Sequence, residues 1–169
     1  MTRDDIISFV ITLEGGYVDN PADPGGATNF GVTQHYLEAN RAAHPELTLP
    51  ASVADLTQSQ AATLYRLNEW TEVQGDSLPW PLALCAFDTA VNEGQHRAAI
   101  TLQQALGVPA DGLIGPGTLR AAQAAGTLQV KKFAAYRGVA YAQLDAKEDV
   151  FEYTWMDRLL TVYTRAILP

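Results

Sequence analysis

The amino-acid sequence predicts a mainly α-helical fold with at most one small β-hairpin. Segments with apolar residues at helical spacing recur along the chain, and the first covers 3–14. Its apolar positions fall at i, i+3, i+4 and i+7: Ile6, Phe9, Val10 and Leu13. Residues typical of helix starts and stops flank these segments. The chain of 169 residues is long enough for one domain with a sizeable core, and it contains no internal repeat or low-complexity stretch.

The first helix and the loop after it have clear boundaries in the sequence. Thr2 and Asp5 form a plausible N-cap pair, and Gly15 follows the last helical residue, where glycine takes a left-handed cap conformation at little cost. The turn-rich residues 17–32 are expected to be a loop, with a short hairpin between 17–19 and 29–32.

Seven further helices account for most of the remaining chain. They are expected at 34–43, 58–70, 81–93, 96–106, from 116 to near 126, and 127–144, with a last helix at 151–167. The start signals are Thr33, the Thr57–Gln60 capping box, Pro116 and Thr127, and the stop signals are Gly94 and Gly107. The strongly apolar helix 81–93 is the predicted central element. It contains the only cysteine, Cys85, which is expected to be a small buried hydrophobe.

The net charge of −8 argues against nucleic acid as a partner, because phosphate binding needs clustered Lys and Arg. No apolar run is long enough to span a membrane. Asp4 and Asp5 occupy the place of a basic signal-peptide region, so synthesis in the cytoplasm is expected.

The three histidines are scattered without zinc-ligand spacing, and no nucleotide-binding motif is present, so neither a metal nor a cofactor is predicted.

Glu14 is the first candidate for catalysis. It shares a helical face with Ile6 and Val10, and an apolar face disfavours a charged side chain. It also lies in the last helical turn, where the negative end of the helix dipole disfavours ionisation. Both effects favour the protonated acid that a glycosidase uses on the leaving oxygen. The alternative is a helix-end glutamate that points into water.

The following loop supplies a second carboxylate and a hydroxyl. Asp23 lies between Pro21 and Pro24, and Thr28 follows after two glycines. A second carboxylate can stabilise positive charge at the sugar carbon or orient a water. If the two carboxyl groups are far apart, the reaction inverts the configuration at the sugar carbon, and if they are close together, it retains it. The alternative for Asp23 is an Asx-turn residue, and Asp19 is more readily explained as a turn residue than as a catalyst.

The segment from Glu14 to Thr33 resembles the signature of glycoside hydrolase family 108, a family of lysozyme-like N-acetylmuramidases found among phage endolysins and bacterial secretion activators. Two later segments support the resemblance. Residues 87–94 are similar to the central helix of the family, and residues 102–119 to its peptidoglycan-binding region. The resemblance covers nearly the whole chain.

This resemblance implies a lysozyme-like fold with a small hairpin after the first helix. It implies a single domain of 1–169, with a catalytic region of about 1–92 and a peptidoglycan-binding-like helical region of about 93–165 packed on it. It also implies Glu14 as the catalytic acid. The similar arrangement in phage-type lysozymes adds Asp23 and Thr28, although the spacing to Thr28 is one residue shorter here.

Further candidates could contact the substrate. Tyr17, Asn29 and Phe30 lie in the loop after the first helix and could contact sugar rings. Asp88 and Asn92 are four residues apart and form a polar stripe on an apolar helix. They could line the cleft, or they could hold a neighbouring element from inside the core.

The sequence therefore predicts a monomeric endolysin that cleaves the β-1,4 bond between N-acetylmuramic acid and N-acetylglucosamine in bacterial peptidoglycan. We expect it to reach the wall through a holin-type pore or by a secretion system. One alternative is a non-catalytic peptidoglycan-binding or secretion-assisting protein. Another is an enzyme that acts on a related glucosaminide such as chitin.

Overall fold

The computed structural model describes residues 1–19, 26–143 and 149–168. Within these ranges the chain forms eight α-helices and one two-stranded antiparallel hairpin, which confirms the predicted mainly α fold. The helices are α1 (Arg3–Glu14), α2 (Gln34–Ala43), α3 (Gln58–Tyr65), α4 (Trp80–Glu93), α5 (Gln95–Leu106), α6 (Pro116–Gln123), α7 (Thr127–Ala142) and α8 (Asp149–Ile167). The strands are β1 (Thr28–Asn29) and β2 (Val32–Thr33). No helix in the described ranges combines the length and the apolarity needed to cross a bilayer.

The chain divides into two compact units. One comprises Thr2–Asn68, and the other comprises Glu69–Pro169 together with Met1. α4 packs extensively against α5 and α8 and so belongs to the C-terminal unit. The expected division into a catalytic region and a peptidoglycan-binding-like region stays a prediction.

Side-chain caps determine where the helices of the N-terminal unit begin. Thr2 accepts a hydrogen bond from the backbone N–H of Asp5, whose carboxylate accepts one from the Thr2 N–H at 2.8 Å. Thr33 caps α2 through the N–H of Tyr36 at 3.1 Å. Thr57 and Gln60 form the predicted capping box at the start of α3. Each cap satisfies N–H groups that have no partner within the helix.

The hairpin has a different register from the predicted one. Thr28 pairs with Thr33 and Asn29 with Val32, so only Phe30 and Gly31 form the turn. Their φ angles of +53° and +76° are those of a two-residue turn with both central residues left-handed, which matches the twist of a hairpin. Val18 pairs with Thr28 by two backbone hydrogen bonds of 2.8 and 2.9 Å. The predicted pairing of 17–19 with 29–32 is therefore wrong in register, although a hairpin is present.

The third helix is interrupted where the sequence predicted one helix over 58–70. α3 ends at Tyr65, and the chain continues as a π-helical segment, Arg66–Trp70. Such wide turns are rare in proteins and often accompany functional sites.

The C-terminal unit is built around α4. All nine residues of the stretch 82–90 are buried, which confirms the predicted central helix. Cys85 is among them, and burial raises the pKa of its thiol to about 12. α7 begins at Thr127, with Gly126 and not Thr127 as its N-cap. The helices α5, α7 and α8 complete the core of this unit.

Candidate active site

Glu14 is the last residue of α1 and is half-buried. Ile6 and Val10, which share its face, are buried, as the apolar periodicity predicted. Gly15 ends the helix with a φ of +79° and turns the chain away immediately after the carboxylate. The sequence therefore places this side chain at a helix end with one side against the protein.

The tip of the hairpin lies against Glu14. A Cβ atom added to Gly31 would come within 2.7 Å of Glu14 Oε2 and 2.9 Å of Glu14 Cγ. The same hypothetical atom would also clash with the hydroxyl of Tyr65. Only a glycine leaves room for both side chains, and its positive φ favours glycine independently.

Tyr65, at the end of α3, is tied to the same tip. Its hydroxyl donates a hydrogen bond of 2.9 Å to the backbone carbonyl of Phe30. Phe30 has the left-handed φ of +53°, a conformation that costs a non-glycine residue roughly 1–2 kcal/mol. Such a conformation persists only where the surroundings determine it, and the Tyr65 hydrogen bond is one of the contacts that do so.

Asn29 has a structural position, although we predicted that it contacts sugar. The residue is buried, and its amide nitrogen donates to the carbonyls of Val53 at 3.1 Å and Leu56 at 3.2 Å. Successive residues of a strand point to opposite faces, so Thr28 faces the other side of the hairpin. Asn29 is therefore better explained as the residue that ties β1 to the segment before α3.

The structure describes only some of the other candidate residues in the loop after α1. Tyr17 is 49% exposed, and its hydroxyl lies 3.4 Å from the carboxylate of Asp19. Desolvation and this carboxylate together raise the pKa of Tyr17. Phe30 is half-buried and Thr28 is half-buried. Asp23, the predicted second carboxylate, lies outside the described residues.

In the C-terminal unit, Asp88 forms part of an ion-pair network. It is fully buried and accepts hydrogen bonds from Arg137 and from Arg158, the latter at 2.7 and 2.9 Å. Glu93 accepts from Arg137 at 2.6 Å and from the Tyr141 hydroxyl at 3.1 Å. These contacts occupy both carboxylate oxygens of Asp88, so they favour its structural alternative over the predicted contact with substrate.

The same ion-pair network changes the pKa of Arg137. Burial alone would lower the pKa of Arg137, but Asp88 and its other neighbours raise it above its ordinary value. Arg137 therefore stays charged inside the core. Asn92, one turn after Asp88 on α4, is exposed, and its contact with substrate remains a prediction.

Sequence reasoning missed the positions of Gly31 and Tyr65 beside Glu14. Tyr65 is buried, and its hydroxyl also makes a specific contact with the backbone of the hairpin turn. A glycine at the second position of a two-residue hairpin turn is the one local signal that could have located the tip. Among the residues that the structure describes, no three His, Cys, Asp or Glu side chains are grouped as metal ligands.

Comparisons with known proteins agree with the fold. The profile of the family described as Glycosyl hydrolase 108 matches residues 7–94. The solved structure of Brucella abortus SagA superposes with a TM-score of 0.79 at 35% sequence identity, covering 96% of this chain and 92% of that one. The search of curated proteins found no match.

Proposed function

The chain belongs to glycosyl hydrolase family 108, and on that basis we propose that it is an N-acetylmuramidase that cleaves the glycan strands of bacterial peptidoglycan. The observation that supports this most strongly is the placement of Glu14 at the end of α1, against the tip of a tightly turned hairpin. A glycosidase needs a carboxylic acid held in a fixed orientation beside the scissile bond.

In this proposal Glu14 protonates the glycosidic oxygen that leaves. Asp23 stabilises the positive charge that develops at the sugar carbon or orients the attacking water, and the Thr28 hydroxyl helps to place that water. The backbone of Thr28 is fixed on both sides of β1, by Val18 and by its pairing with Thr33. Tyr17 and Phe30 are proposed to offer aromatic surface to the sugar rings, and Asn92 a polar contact.

The bond that is cleaved can be identified from the products. Purified peptidoglycan is digested, the new reducing ends are reduced with borohydride, and the fragments are analysed by mass spectrometry. A muramidase leaves N-acetylmuramic acid at the new reducing ends, and borohydride reduces these to N-acetylmuramitol. New N-acetylglucosaminitol ends would contradict the proposed bond, and fragments cut within the peptide would contradict glycosidase action.

The roles of Asp23 and Thr28 can be tested by substitution. We expect Asp23→Asn to lower kcat by roughly 100-fold or more, the range of acid–base contributions, and Thr28→Ala to lower it less. Asp19→Asn is the matched control, because it removes a charge from the same loop at a residue whose side chain faces Tyr17. Equal activity of Asp23→Asn and Asp19→Asn would remove Asp23 from the mechanism.

For the biological setting we propose a phage-type lysis enzyme that is released to the wall by a separate pore, with delivery by a secretion system as the alternative. The family resemblance motivates this proposal. Expression in a bacterium with and without a co-expressed holin tests it. Lysis that depends on the holin supports the pore, whereas equally fast lysis without it would contradict it.

A further inference from the structure

The hydroxyl of Tyr65 and the carboxylate of Glu14 meet at one point of the hairpin tip. A Cβ atom on Gly31 would lie closer than 3.0 Å to both groups. The two side chains come from different helices, α3 and α1, and the tip is the piece of backbone that both of them contact. A change in the position of the tip must therefore change the surroundings of the Glu14 carboxylate.

Tyr65 is well suited to fix the tip. It is only 3% exposed, so packing holds its ring, and its hydroxyl donates to the Phe30 carbonyl at 2.9 Å. The tip consists of two residues in the left-handed region, and Asn29 anchors the strand that leads into it. The Tyr65 hydroxyl therefore bonds to the turn itself, at Phe30, the residue directly before the glycine that faces Glu14.

We propose that Tyr65 is a positioning residue for the catalytic acid. Its hydrogen bond to Phe30 holds the hairpin tip, and Gly31 at that tip holds the Glu14 carboxylate in the orientation from which it protonates the glycosidic oxygen. This inference rests on the proposed role of Glu14. Small displacements of a catalytic group are costly, since about 1 Å can lower the rate by roughly 100-fold.

The direct test is Tyr65→Phe, which removes the hydroxyl and keeps the ring. Steady-state kinetics on soluble glycan strands, with the thermal unfolding midpoint measured in parallel, should give a kcat lower by roughly tenfold. KM should change less than kcat, because Glu14 acts in the chemical step, whereas the variant keeps the side chain of Phe30, the proposed sugar contact at the same tip. A residue with a merely structural role would lower the unfolding midpoint and leave the kcat of the folded enzyme unchanged.

A second pair of variants tests the tip from the other side. Gly31→Ala places a methyl group between Glu14 and Tyr65. Gly107→Ala is the matched control: its φ of +73° imposes a similar backbone penalty, but its Cβ meets no described atom within 4 Å. We expect Gly31→Ala to lose at least as much kcat as Tyr65→Phe, and Gly107→Ala to keep the wild-type kcat.

Three results are distinguishable. A folded Tyr65→Phe enzyme with wild-type kcat, or with raised KM and unchanged kcat, overturns the positioning role. If Tyr65→Phe does not fold, equal kcat values for Gly31→Ala and Gly107→Ala overturn it instead. A wild-type enzyme that creates no new N-acetylmuramic acid ends contradicts the proposed function, and this is seen before any variant is compared.

Discussion

At the scale of single residues, the surroundings of Glu14 are formed by residues that are distant from it in sequence. The helical periodicity of residues 3–14 correctly placed it at the end of an apolar face. The same periodicity carries no information on Gly31 or Tyr65, since those contacts depend on how the hairpin and α3 return to α1. Local patterns therefore made Glu14 a candidate for the catalytic acid, and only the folded chain shows which residues lie against it.

Asn29 offers a test of structural against substrate-binding roles at the same scale. Asn29→Ala should lower the free energy of unfolding by roughly 1–3 kcal/mol, because two buried backbone carbonyls lose their donor. Urea unfolding measures this loss. KM of the folded variant should be close to that of wild type. A raised KM with unchanged stability would instead return Asn29 to the sugar-binding residues.

At the scale of elements, the helix starts could be predicted and the long-range pairings could not. Thr2, Thr33 and Thr57 cap their helices through partners three residues away, so each signal is complete within a few positions. The hairpin register and the partners of Asp88 involve residues that are distant in sequence. Asp88 meets Arg137 and Arg158 across 49 and 70 positions, and a polar stripe on α4 could not reveal them.

The Asp88 network should be a main determinant of how α4, α7 and α8 pack. Asp88→Asn leaves two arginines with one charge less to compensate them in the core. We expect a loss of about 3 kcal/mol or more in the free energy of unfolding, measured with guanidinium chloride.

The surface pair of Asp4 and Arg66 provides the control for that measurement. Its partners are 67% and 42% exposed, and Asp4→Asn should cost less than about 1 kcal/mol. Losses of similar size in the two variants would show that burial does not strengthen the Asp88 network.

At the scale of the whole molecule, the acidic charge constrains how the enzyme recognises the wall. With a net charge of −8, attraction to an anionic polymer cannot come from overall electrostatics, so recognition should rest on shape and hydrogen bonds. The family profile covers residues 7–94 and the similarity to SagA covers 96% of the chain, so the fold beyond the profile is also shared.

Binding to purified cell walls should therefore depend weakly on salt. Sedimentation of the protein with insoluble walls at low and at moderate NaCl concentrations should give similar bound fractions, because salt screens only the charge contribution. The Glu14→Gln variant, which we expect to be inactive, should leave the walls intact during the assay. A steep loss of binding with added salt would show that a local basic surface dominates recognition.

The most direct test of the central claim is the activity of Glu14→Gln on purified peptidoglycan, measured as release of reducing sugar. The substitution keeps the size of the side chain and removes the proton that it donates, so activity should fall by roughly 100-fold or more while the unfolding midpoint stays close to wild type. Glu46→Gln, at an exposed position beside His44, is the control and should retain full activity. Near wild-type release by Glu14→Gln would contradict the assignment of Glu14 as the catalytic acid.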